Sequence, residues 1–246
     1  MAQPIRFQAT VEKVTRHTSN VVTYRLQADK RLPRFTPGQF IHLTLELFDP
    51  SSFWPESRVF SVANAVADRR TVELTISRQG AYTSKLLDQL QQGVTVWAKG
   101  PYGDFSIDAS QGYRRAVLIA GGTGITPFCA FMDATLSQGT LPIEQARLYY
   151  GAQTPELLIY RALADHCAAE IAGFQVRYYA EHASDQAGDV VRPGRIDLSE
   201  IMRDCIEIEN TAFFVSGPKP MIETFHDSLS STYNLSPEQV LIDAWE

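Results

Sequence analysis

The sequence has few cysteines, and this limits the chemistry that the chain can perform by itself. Cys129, Cys167 and Cys205 are its three cysteines among 246 residues, and no two of them form a C-x-x-C pair. An iron–sulfur cluster held by four thiolates is therefore excluded within this chain. A sparse, odd cysteine count also favours a reducing compartment over a disulfide scaffold, so we expect a cytoplasmic protein.

Other absences exclude further classes of protein. No apolar run approaches the roughly 18 residues that cross a bilayer, and the segment Met1–Phe7 lacks the pattern of a secretory leader, so we expect no membrane insertion. The net charge of −6 argues against bulk nucleic-acid binding. The five histidines show no metal-ligand spacing, which predicts no metal site. With 44% hydrophobic and 20% charged residues, the chain is a globular protein.

The first half of the chain has the pattern of short strands separated by turn residues. Gln39–Leu45 alternates with the period of two that a half-buried strand requires. About six strands and one helix, Tyr82–Gln91, predict a small antiparallel β-barrel. The predicted strands are Ile5–Val14, Val21–Leu26, Gln39–Leu45, Arg58–Val62, Thr71–Ser77 and Val94–Ala98.

The second half alternates strands with helices, which is typical of a parallel sheet covered on both faces. Ala116–Ala120 is a continuously apolar run of the buried parallel-strand type. We therefore predict a two-domain fold, an antiparallel β-barrel followed by an α/β parallel-sheet nucleotide-binding domain, with bounds at 1–108 and 109–246. Helical patterns lie at Phe128–Ser137, Glu156–Glu170, Leu198–Asp204 and Pro218–Tyr233, and further strands at Ala146–Tyr150, Phe174–Tyr179, Ala212–Ser216 and Val240–Ile242.

The most informative motif is Ala120-Gly-Gly-Thr-Gly-Ile-Thr-Pro127. An apolar strand ends in glycines, Thr126 is a candidate N-cap, and Pro127 stands where a helix can begin. Glycines let the backbone approach a pyrophosphate, and the helix N-terminus offers it free N–H groups. The alternative is a glycine-rich turn with no ligand.

Three more segments permit ligand binding, and each has an ordinary structural alternative. In Arg58-Val-Phe-Ser61 a guanidinium could meet a phosphate and a ring could meet a flat heterocycle, although an ordinary edge strand explains the segment as well. The segment from Gly80 to Ser84 is either a second anion site or a simple capped helix. Ser216-Gly-Pro218 follows a strand end, where ligands sit in open α/β sheets, or is a plain loop.

In their order and spacing these segments resemble the ferredoxin–NADP(+) reductase family. The resemblance covers nearly the whole chain and implies a flavin-binding barrel, a nicotinamide-dinucleotide domain and a flavin at their junction. The segments that carry it are Pro37-Gly-Gln-Phe40, Arg58-Val-Phe-Ser61, Gly80 to Ser84, Gly100-Pro-Tyr-Gly-Asp-Phe105, Ala120 to Pro127, Tyr150-Gly151 with Leu157-Leu158, and Ser216-Gly-Pro-Lys-Pro-Met221.

The resemblance also implies a role for individual residues. Arg58 would bind the flavin pyrophosphate, Phe60 would lie against the isoalloxazine ring, and Ser61 would sit near the reactive flavin nitrogen. Gly217 and Pro218 would border the nicotinamide. The other implied cofactor-binding residues are Ile76, Gly80, Thr83 and Ser84 for the flavin, and Gly121, Gly122, Thr123, Gly124 and Thr126 for the dinucleotide pyrophosphate.

Two positions depart from the pattern of the family. Phe60 replaces the usual tyrosine, which removes a phenol hydrogen bond, and Ser216 replaces a cysteine beside the nicotinamide, which questions the efficiency of hydride transfer. In several relatives a C-terminal aromatic covers the flavin, and Trp245 is the candidate here. Ser61, Ser216 and Trp245 are therefore the residues that we expect nearest the chemistry.

These inferences predict an FAD-dependent NAD(P)H oxidoreductase. FAD is favoured over FMN because the helix start at Gly80 suits a pyrophosphate, and NADH is favoured over NADPH because Gly151–Glu156 and Ala180–Ala183 contain no arginine or lysine. The expected acceptor is a ferredoxin, a flavodoxin or an oxygenase component. Two alternatives remain: a flavin reductase acting on free small acceptors, and a non-catalytic flavin- or nucleotide-binding subunit of an electron-transfer complex.

Overall fold

The computed structural model describes residues 3–49, 51–108, 112–183 and 190–243. The chain divides into two compact units, Met1–Ser106 and Ile107–Glu246. The domain bounds at 1–108 and 109–246 stay a prediction, since residues 109–111 lie outside the described ranges. Within those ranges, no helix has both the length and the apolar character needed to cross a lipid bilayer.

The first unit is a nearly closed antiparallel barrel of six strands, as predicted. The strands are β1 (Ile5–Arg16), β2 (Val21–Ala28), β3 (Phe40–Thr44), β4 (Arg58–Ser61), β5 (Thr71–Ser77) and β6 (Thr95–Tyr102). They lie in the order β4-β3-β6-β1-β2-β5, and every neighbouring pair is antiparallel. An antiparallel bridge between Val62 and Leu74 links the two edges, so β4 has β5 near its open side.

Alternation along the strands builds the barrel core. In β2 the side chains of Val22, Tyr24 and Leu26 are buried, and the residues between them are not. Each such apolar side chain contributes roughly 1.5–3 kcal/mol when it is fully buried. The helix α1 (Ala81–Gln89) adds Leu86 and Leu87 to the same core, which anchors the helix against the barrel.

The second unit is a six-stranded parallel sheet with helices, which confirms the predicted α/β architecture. Its strands lie in the order β10-β9-β8-β7-β11-β12, and all neighbouring pairs are parallel. The strands are β7 (Arg115–Gly121), β8 (Gln145–Ala152), β9 (Phe174–Ala180), β10 (Val191–Pro193), β11 (Thr211–Ser216) and β12 (Val240–Asp243), and the helices are α2 (Thr126–Gln138), α3 (Arg161–Glu170), α4 (Leu198–Asp204) and α5 (Lys219–Asp227).

Three elements differ from the sequence-based expectation. Strand β10 was not predicted, because three residues are too few to show a period. The helix predicted over Glu156–Glu170 begins only at Arg161, since a separate 3₁₀ turn, Pro155–Leu157, comes first. The helix predicted over Pro218–Tyr233 ends at Asp227 and continues as a π-helical turn, Ser228–Thr232, which apolar spacing over so short a stretch cannot distinguish from α-helix.

The direction of the sheet order changes at β7, and this positions the site. From β7 the chain passes outward to β8, β9 and β10, and then returns to place β11 on the other side of β7. Ala120 of β7 consequently pairs with Tyr150 of β8 and with Ser216 of β11. Ligands of open α/β sheets bind outside the carboxyl ends of the strands at such a switch point.

Candidate functional site

The turn between β7 and α2 presents an uncapped helix N-terminus. A 3₁₀ turn, Gly122–Ile125, runs directly into α2, whose N-cap is Ile125 and whose first turn has no side-chain cap. The prediction that Thr126 is the N-cap was wrong, because the turn leaves Thr126 already helical, and its hydroxyl donates to the carbonyl oxygen of Thr123 at 3.1 Å. No side chain caps the start of α2, so the N–H groups there are available to an anion.

Two of the glycines in this turn are required for loop packing. A Cβ on Gly124 would lie 2.4 Å from the backbone nitrogen of Gly217. A Cβ on Gly121 would lie 2.8 Å from the sulfur of Met221 and 2.9 Å from Cδ of Pro218. The turn after β7 and the turn after β11 thus touch backbone to backbone, and both sequence-predicted dinucleotide segments come together.

Gly122 has a different reason to be glycine. Its φ of +54° is left-handed, and a Cβ there would meet no atom within 4 Å. The backbone of the turn is therefore open to the outside at this position, next to the start of α2. An open backbone surface beside the positive end of a helix is the donor set that a pyrophosphate requires, so the residues present fit a dinucleotide.

Ser216 is tied to an acidic residue that sequence reasoning missed. Its hydroxyl donates to Oδ2 of Asp243 at 2.9 Å, both side chains are buried, and the two residues are register partners in β11 and β12. The sequence signal was an acid at the end of the short apolar strand Val240–Asp243. Asp243 brings a carboxylate to the carboxyl edge of the sheet, next to Gly217.

A second missed residue lies at the outer edge of the sheet. Arg195 follows β10, and its Nε forms an ion pair with Oε2 of Glu181 at 3.0 Å. Glu181 directly follows β9, so this pair lies at the carboxyl edge of β9 and β10. Arg195 could not be placed from the sequence because β10 was not predicted. An acidic side chain at such an edge is the type that hydrogen-bonds a ribose 2′-hydroxyl.

In the barrel, the start of α1 also lacks a side-chain cap. Gly80 is the N-cap, and its φ of −164° is extended backbone that any residue adopts. A Cβ on Gly80 would meet nothing within 4 Å. Thr83 turns its hydroxyl back toward the residues before the helix, where it accepts from the backbone nitrogens of Gly80 and Gln79 and leaves the N–H groups of the first turn without a side-chain partner. Neither a left-handed backbone nor packing requires this glycine, which leaves the modest preference for glycine at an N-cap and the close approach of a ligand as the reasons for it.

Arg58 stands beside the same helix start. Its guanidinium lies over the ring of Tyr82, 4.6 Å from the ring centroid, and pairs with Glu56 at 3.0 Å. The Tyr82 hydroxyl donates to the carbonyl oxygen of Glu56 at 3.1 Å. These contacts hold a half-exposed cation next to uncapped N–H groups. Arg58 therefore does lie on an edge strand, and it also lies where a diphosphate would find both types of donor.

The remaining predicted flavin residues lie on neighbouring strands. Phe60 is half-buried against the barrel core, and Ser61 is buried and paired with Phe40 across β3 and β4. The side chain of Ile76 is only 1% exposed and lies inside the core. Its part in cofactor binding stays a prediction, and only its backbone atoms could contact a cofactor. Trp245 lies outside the described residues. The half-buried ring of Phe60 suits the flat isoalloxazine of FAD, and Arg58 with the start of α1 suits its diphosphate.

Family models match both units. The model described as "Oxidoreductase FAD-binding domain" matches residues 8–107, and the model described as "Oxidoreductase NAD-binding domain" matches residues 118–227. The first match includes β4 and the start of α1, and the second includes the turns after β7 and β11. Each model therefore covers the candidate residues that the geometry assigns to its ligand.

Curated relatives are similar over most of this chain. A flavohemoprotein from Bacillus subtilis is 26% identical over 94% of the chain. The ferredoxin–NAD(+) reductase component of an alkene monooxygenase system from Xanthobacter autotrophicus is 29% identical over 77% of the chain. The matched regions make up 57% and 55% of these two relatives, so the chain spans little more than half of their length.

Solved structures show the same fold. The cytochrome P450 reductase GcoB from Amycolatopsis superposes with a TM-score of 0.81 at 24% identity, over 99% of this chain and 70% of that one. The FAD/NAD-binding domain of a nitric oxide dioxygenase from Vibrio cholerae gives 0.78 at 19% identity, over 97% and 98% of the two chains. The arrangement of a barrel followed by a parallel sheet is thus shared with both.

Proposed function

Because the chain belongs to the ferredoxin–NADP(+) reductase family of FAD- and NAD-binding oxidoreductases, we propose that it oxidises NADH with a bound FAD and delivers the electrons to a separate acceptor protein. One observation carries the proposal: each unit presents an uncapped helix start behind a glycine that is open to the outside, at Gly80 and at Gly122. Two sites for phosphorylated cofactors, one in each unit, are what such an enzyme needs.

In the barrel, this chain's residues bind and orient the flavin. Arg58 and the N–H groups at the start of α1 hold the diphosphate, because a fixed guanidinium and a helix dipole both favour anions. Phe60 offers its ring to the isoalloxazine, and Ser61 offers its hydroxyl to the reacting edge. FAD supplies the hydride-accepting and single-electron chemistry, and the protein supplies position and electrostatics.

In the sheet, the two touching turns hold the hydride donor. The N–H groups at Gly122–Thr126 bind the pyrophosphate, and Gly217 and Pro218 border the nicotinamide. Ser216 keeps its hydroxyl proton directed to Asp243, which fixes the side-chain orientation of both residues. This hydrogen bond is proposed to order the site. It does not have to serve as a general acid or base, because a hydride transfer requires neither from the protein.

The acceptor is proposed to be a protein of an oxygenase system. Three dispersed cysteines cannot hold a cluster of four thiolates within this chain, so electrons have to leave the flavin for another molecule. The Xanthobacter relative is named as the reductase component of such a system. A ferredoxin or an oxygenase component is therefore our first choice of acceptor, in the cytoplasm, where cysteines stay reduced.

Anaerobic reduction tests the central proposal. The purified protein, reconstituted with FAD, is expected to show a flavin spectrum that NADH bleaches under argon. A protein that stays colourless after reconstitution would contradict the flavin-binding proposal itself. A yellow protein that NADH does not bleach would contradict the oxidoreductase and favour a non-catalytic flavin-binding subunit.

The preference for NADH is proposed from the Glu181–Arg195 pair. The Glu181 carboxylate can accept from a ribose 2′-hydroxyl, repels a 2′-phosphate and neutralises Arg195. Glu181→Gln is expected to lower the KM for NADPH by about tenfold, the size of one close charge interaction, and to leave kcat with NADH within about twofold. Arg192→Gln is the matched control on β10. A strong NADPH preference of the unaltered protein would contradict the proposal.

A further inference from the structure

An open cavity of about 280 Å³ lies at the amino edge of the parallel sheet. Its lining includes Arg115 and Gln145, the first residues of β7 and β8, and Thr211, the first residue of β11. These three residues are register partners across the sheet. Strand β7 ends at Gly121, and a strand rises about 3.3 Å per residue, so roughly 20 Å separates Arg115 from the turn assigned to the dinucleotide. A ligand in this cavity would therefore occupy a different place from the dinucleotide.

Two arginines act on the interior of this cavity. Arg115 and Arg147 both line it, and so does Cys205. Burial raises the pKa of the Cys205 thiol, whereas a hydrogen bond with Thr211 and the positive charges of Arg147 and Arg115 oppose that rise. Both guanidinium groups are thus close enough to one sulfur atom to affect its ionisation. Their charges converge on the same part of the cavity.

Arg115 has a hydrogen-bond donor that the protein leaves unused. Its two terminal nitrogens donate to Oε1 of Gln145 at 2.9 Å and to Oε1 of Glu207 at 3.1 Å. Its Nε is buried and has no hydrogen-bond partner within the described ranges. A buried donor without an acceptor costs free energy, so this nitrogen favours an acceptor that comes from outside the chain.

Arg147 carries a positive charge that no carboxylate neutralises. Its Nε donates to Oε1 of Gln175 at 2.9 Å and its Nη1 to the backbone carbonyl oxygen of Asp204 at 3.1 Å, and both acceptors are uncharged. In the part of the chain that the structure describes, no carboxylate oxygen lies within 4.0 Å of a charged nitrogen of Arg147. The Asp204 carboxylate is already paired with Arg177, and Arg115 has a carboxylate partner of its own. Arg147 is therefore the positive charge in excess.

The other walls of the cavity are largely apolar. Val117, Ile201 and Ile206 line it, and the first two belong to the packed core of the α/β unit, which fixes their positions. Sites for drug-sized ligands usually measure about 300–1,000 Å³, so the cavity suits a somewhat smaller molecule. Apolar walls next to one unneutralised cation favour a molecule with an apolar body and a single negative charge.

We propose that this cavity is a further ligand site, for a small organic monocarboxylate with an apolar body. The carboxylate accepts from Nε of Arg115 and neutralises Arg147, and the apolar body packs against Val117 and Ile201. Hydrogen bonds between a guanidinium and a carboxylate are about twice as strong as those between neutral groups. The site lies within the α/β unit and does not depend on the proposed oxidoreductase activity.

Cys205 provides a direct measure of whether the cavity is occupied. Cys129 and Cys167 are buried and Cys205 is not fully buried, so iodoacetamide is expected to alkylate Cys205 first, as peptide mass spectrometry can show. The reaction is run on the full-length protein at about pH 9, because burial raises the pKa of this thiol. Benzoate at about four times its Kd should slow the labelling about fivefold by mass action. Benzyl alcohol, which has the ring without the charge, should protect little at the same concentration.

Three variants test the two arginines. Arg147→Gln is expected to raise the Kd of benzoate at least about tenfold, and Arg115→Gln, which removes the unused donor, about three- to tenfold. Arg114→Gln is the matched control, because Arg114 precedes Arg115, leaves 62% of its side chain exposed and does not line the cavity. Each Kd is taken from that variant's own labelling curve, and its Tm without ligand shows whether it folds.

Several results would overturn the proposal. They are no protection by benzoate, equal protection by benzyl alcohol, and an effect of Arg114→Gln as large as that of Arg147→Gln. Protection by inorganic phosphate as strong as that by benzoate would show a site for inorganic anions and overturn the organic carboxylate. If both cavity variants fail to fold, the comparison of benzoate, benzyl alcohol and phosphate on the unaltered protein decides. The labelling uses no NADH, so its result is separate from that of the anaerobic reduction.

Discussion

Two glycine-bearing turns that look alike in the sequence do different things in the structure. Gly80 and Gly124 each precede a helix whose first turn lacks a side-chain cap. Around Gly80 there is open space and an extended backbone. Around Gly124 there is the backbone of a second loop at 2.4 Å from where a Cβ would stand. Gly80 leaves space that a ligand can occupy, whereas Gly124 leaves space that the backbone of Gly217 occupies.

This difference teaches that a glycine-rich turn has two possible physical causes. In the α/β unit the glycines allow two loops to pack against each other, and the surface proposed to bind the ligand results from that packing. In the barrel the glycine contributes only its modest N-cap preference to the protein without ligand. The two causes predict opposite responses to adding one methyl group, and the following changes are designed to separate them.

Gly124→Ala is expected to have the largest effect. Its methyl group would press on the backbone of Gly217, so the two turns have to separate. Overpacking of this kind costs about 1–3 kcal/mol in the free energy of unfolding, or roughly 2–4 °C in Tm for each kcal/mol. Thermal unfolding without cofactors measures it, and NADH affinity should fall in parallel. An unchanged Tm would contradict the difference between Gly124 and Gly80, because it would show that loop packing does not require a glycine at position 124.

Gly80→Ala is expected to change ligand binding and not stability. The Tm of the protein without FAD should stay within about 1 °C, since the backbone is extended and the space is open. The Kd for FAD should rise about tenfold, because the methyl group stands where a phosphate would approach α1. Flavin fluorescence quenching gives the Kd. Unaltered FAD affinity would mean that this glycine does not serve the ligand.

Ser216→Ala is expected to have a smaller and mixed effect. It removes the donor to the buried carboxylate of Asp243, which costs about 1–2 kcal/mol in the free energy of unfolding. We also expect slower bleaching of the flavin by NADH in stopped-flow measurements, with little change in NADH affinity. Ser216→Thr keeps a hydroxyl and should restore part of the rate. Equal rates in all three proteins would leave Ser216 with a purely structural role.

The smallest expected effect concerns acid stability of the barrel. Burial lowers the pKa of His17, and burial together with Lys99 lowers the pKa of His42. The unfolded chain takes up these protons near pH 6.5 and the folded barrel resists them, so the free energy of unfolding falls as pH drops below about 6.5. Fluorescence of Trp54 and Trp97 should show a Tm lower by about 1–3 °C at pH 5.5 than at pH 7.5.

Substitution distinguishes this cause from general acid sensitivity. His42→Gln should reduce the pH dependence of the barrel signal, whereas His182→Gln in the α/β unit should leave it as it is. If His42→Gln changes nothing, the acid response has another origin.

The architecture was predictable where a periodic pattern is long enough. The alternation of Val21–Ala28 indicates a half-buried strand, and the apolar run of β7 indicates a strand buried on both faces. Both patterns extend over enough residues to be recognised in the sequence. Strand β10 has three residues and no repeat, so it was missed. The π-helical turn at Ser228–Thr232 was missed because one turn does not separate two helical periods.

The candidate site was predictable in its motifs but not in its contacts. Arg58, Gly80 and Gly122 stand out because their residue types suit phosphates and their neighbours mark strand ends. Asp243 and Arg195 did not stand out, since their roles come from strands that are neighbours in the sheet and distant in the chain. The reason for Gly124 was also hidden, because it lies in a loop-to-loop contact that no local pattern records.

The order of the sheet has a consequence for how the protein is made. Strand β7 lies between β8 and β11, and β11 is synthesised after β8, β9 and β10. During translation, the growing chain therefore carries an apolar β7 with one edge unpaired until Thr211–Ser216 has emerged from the ribosome. An open apolar edge recruits other strands, so this interval is when the nascent chain is most exposed to misassembly and most in need of a chaperone.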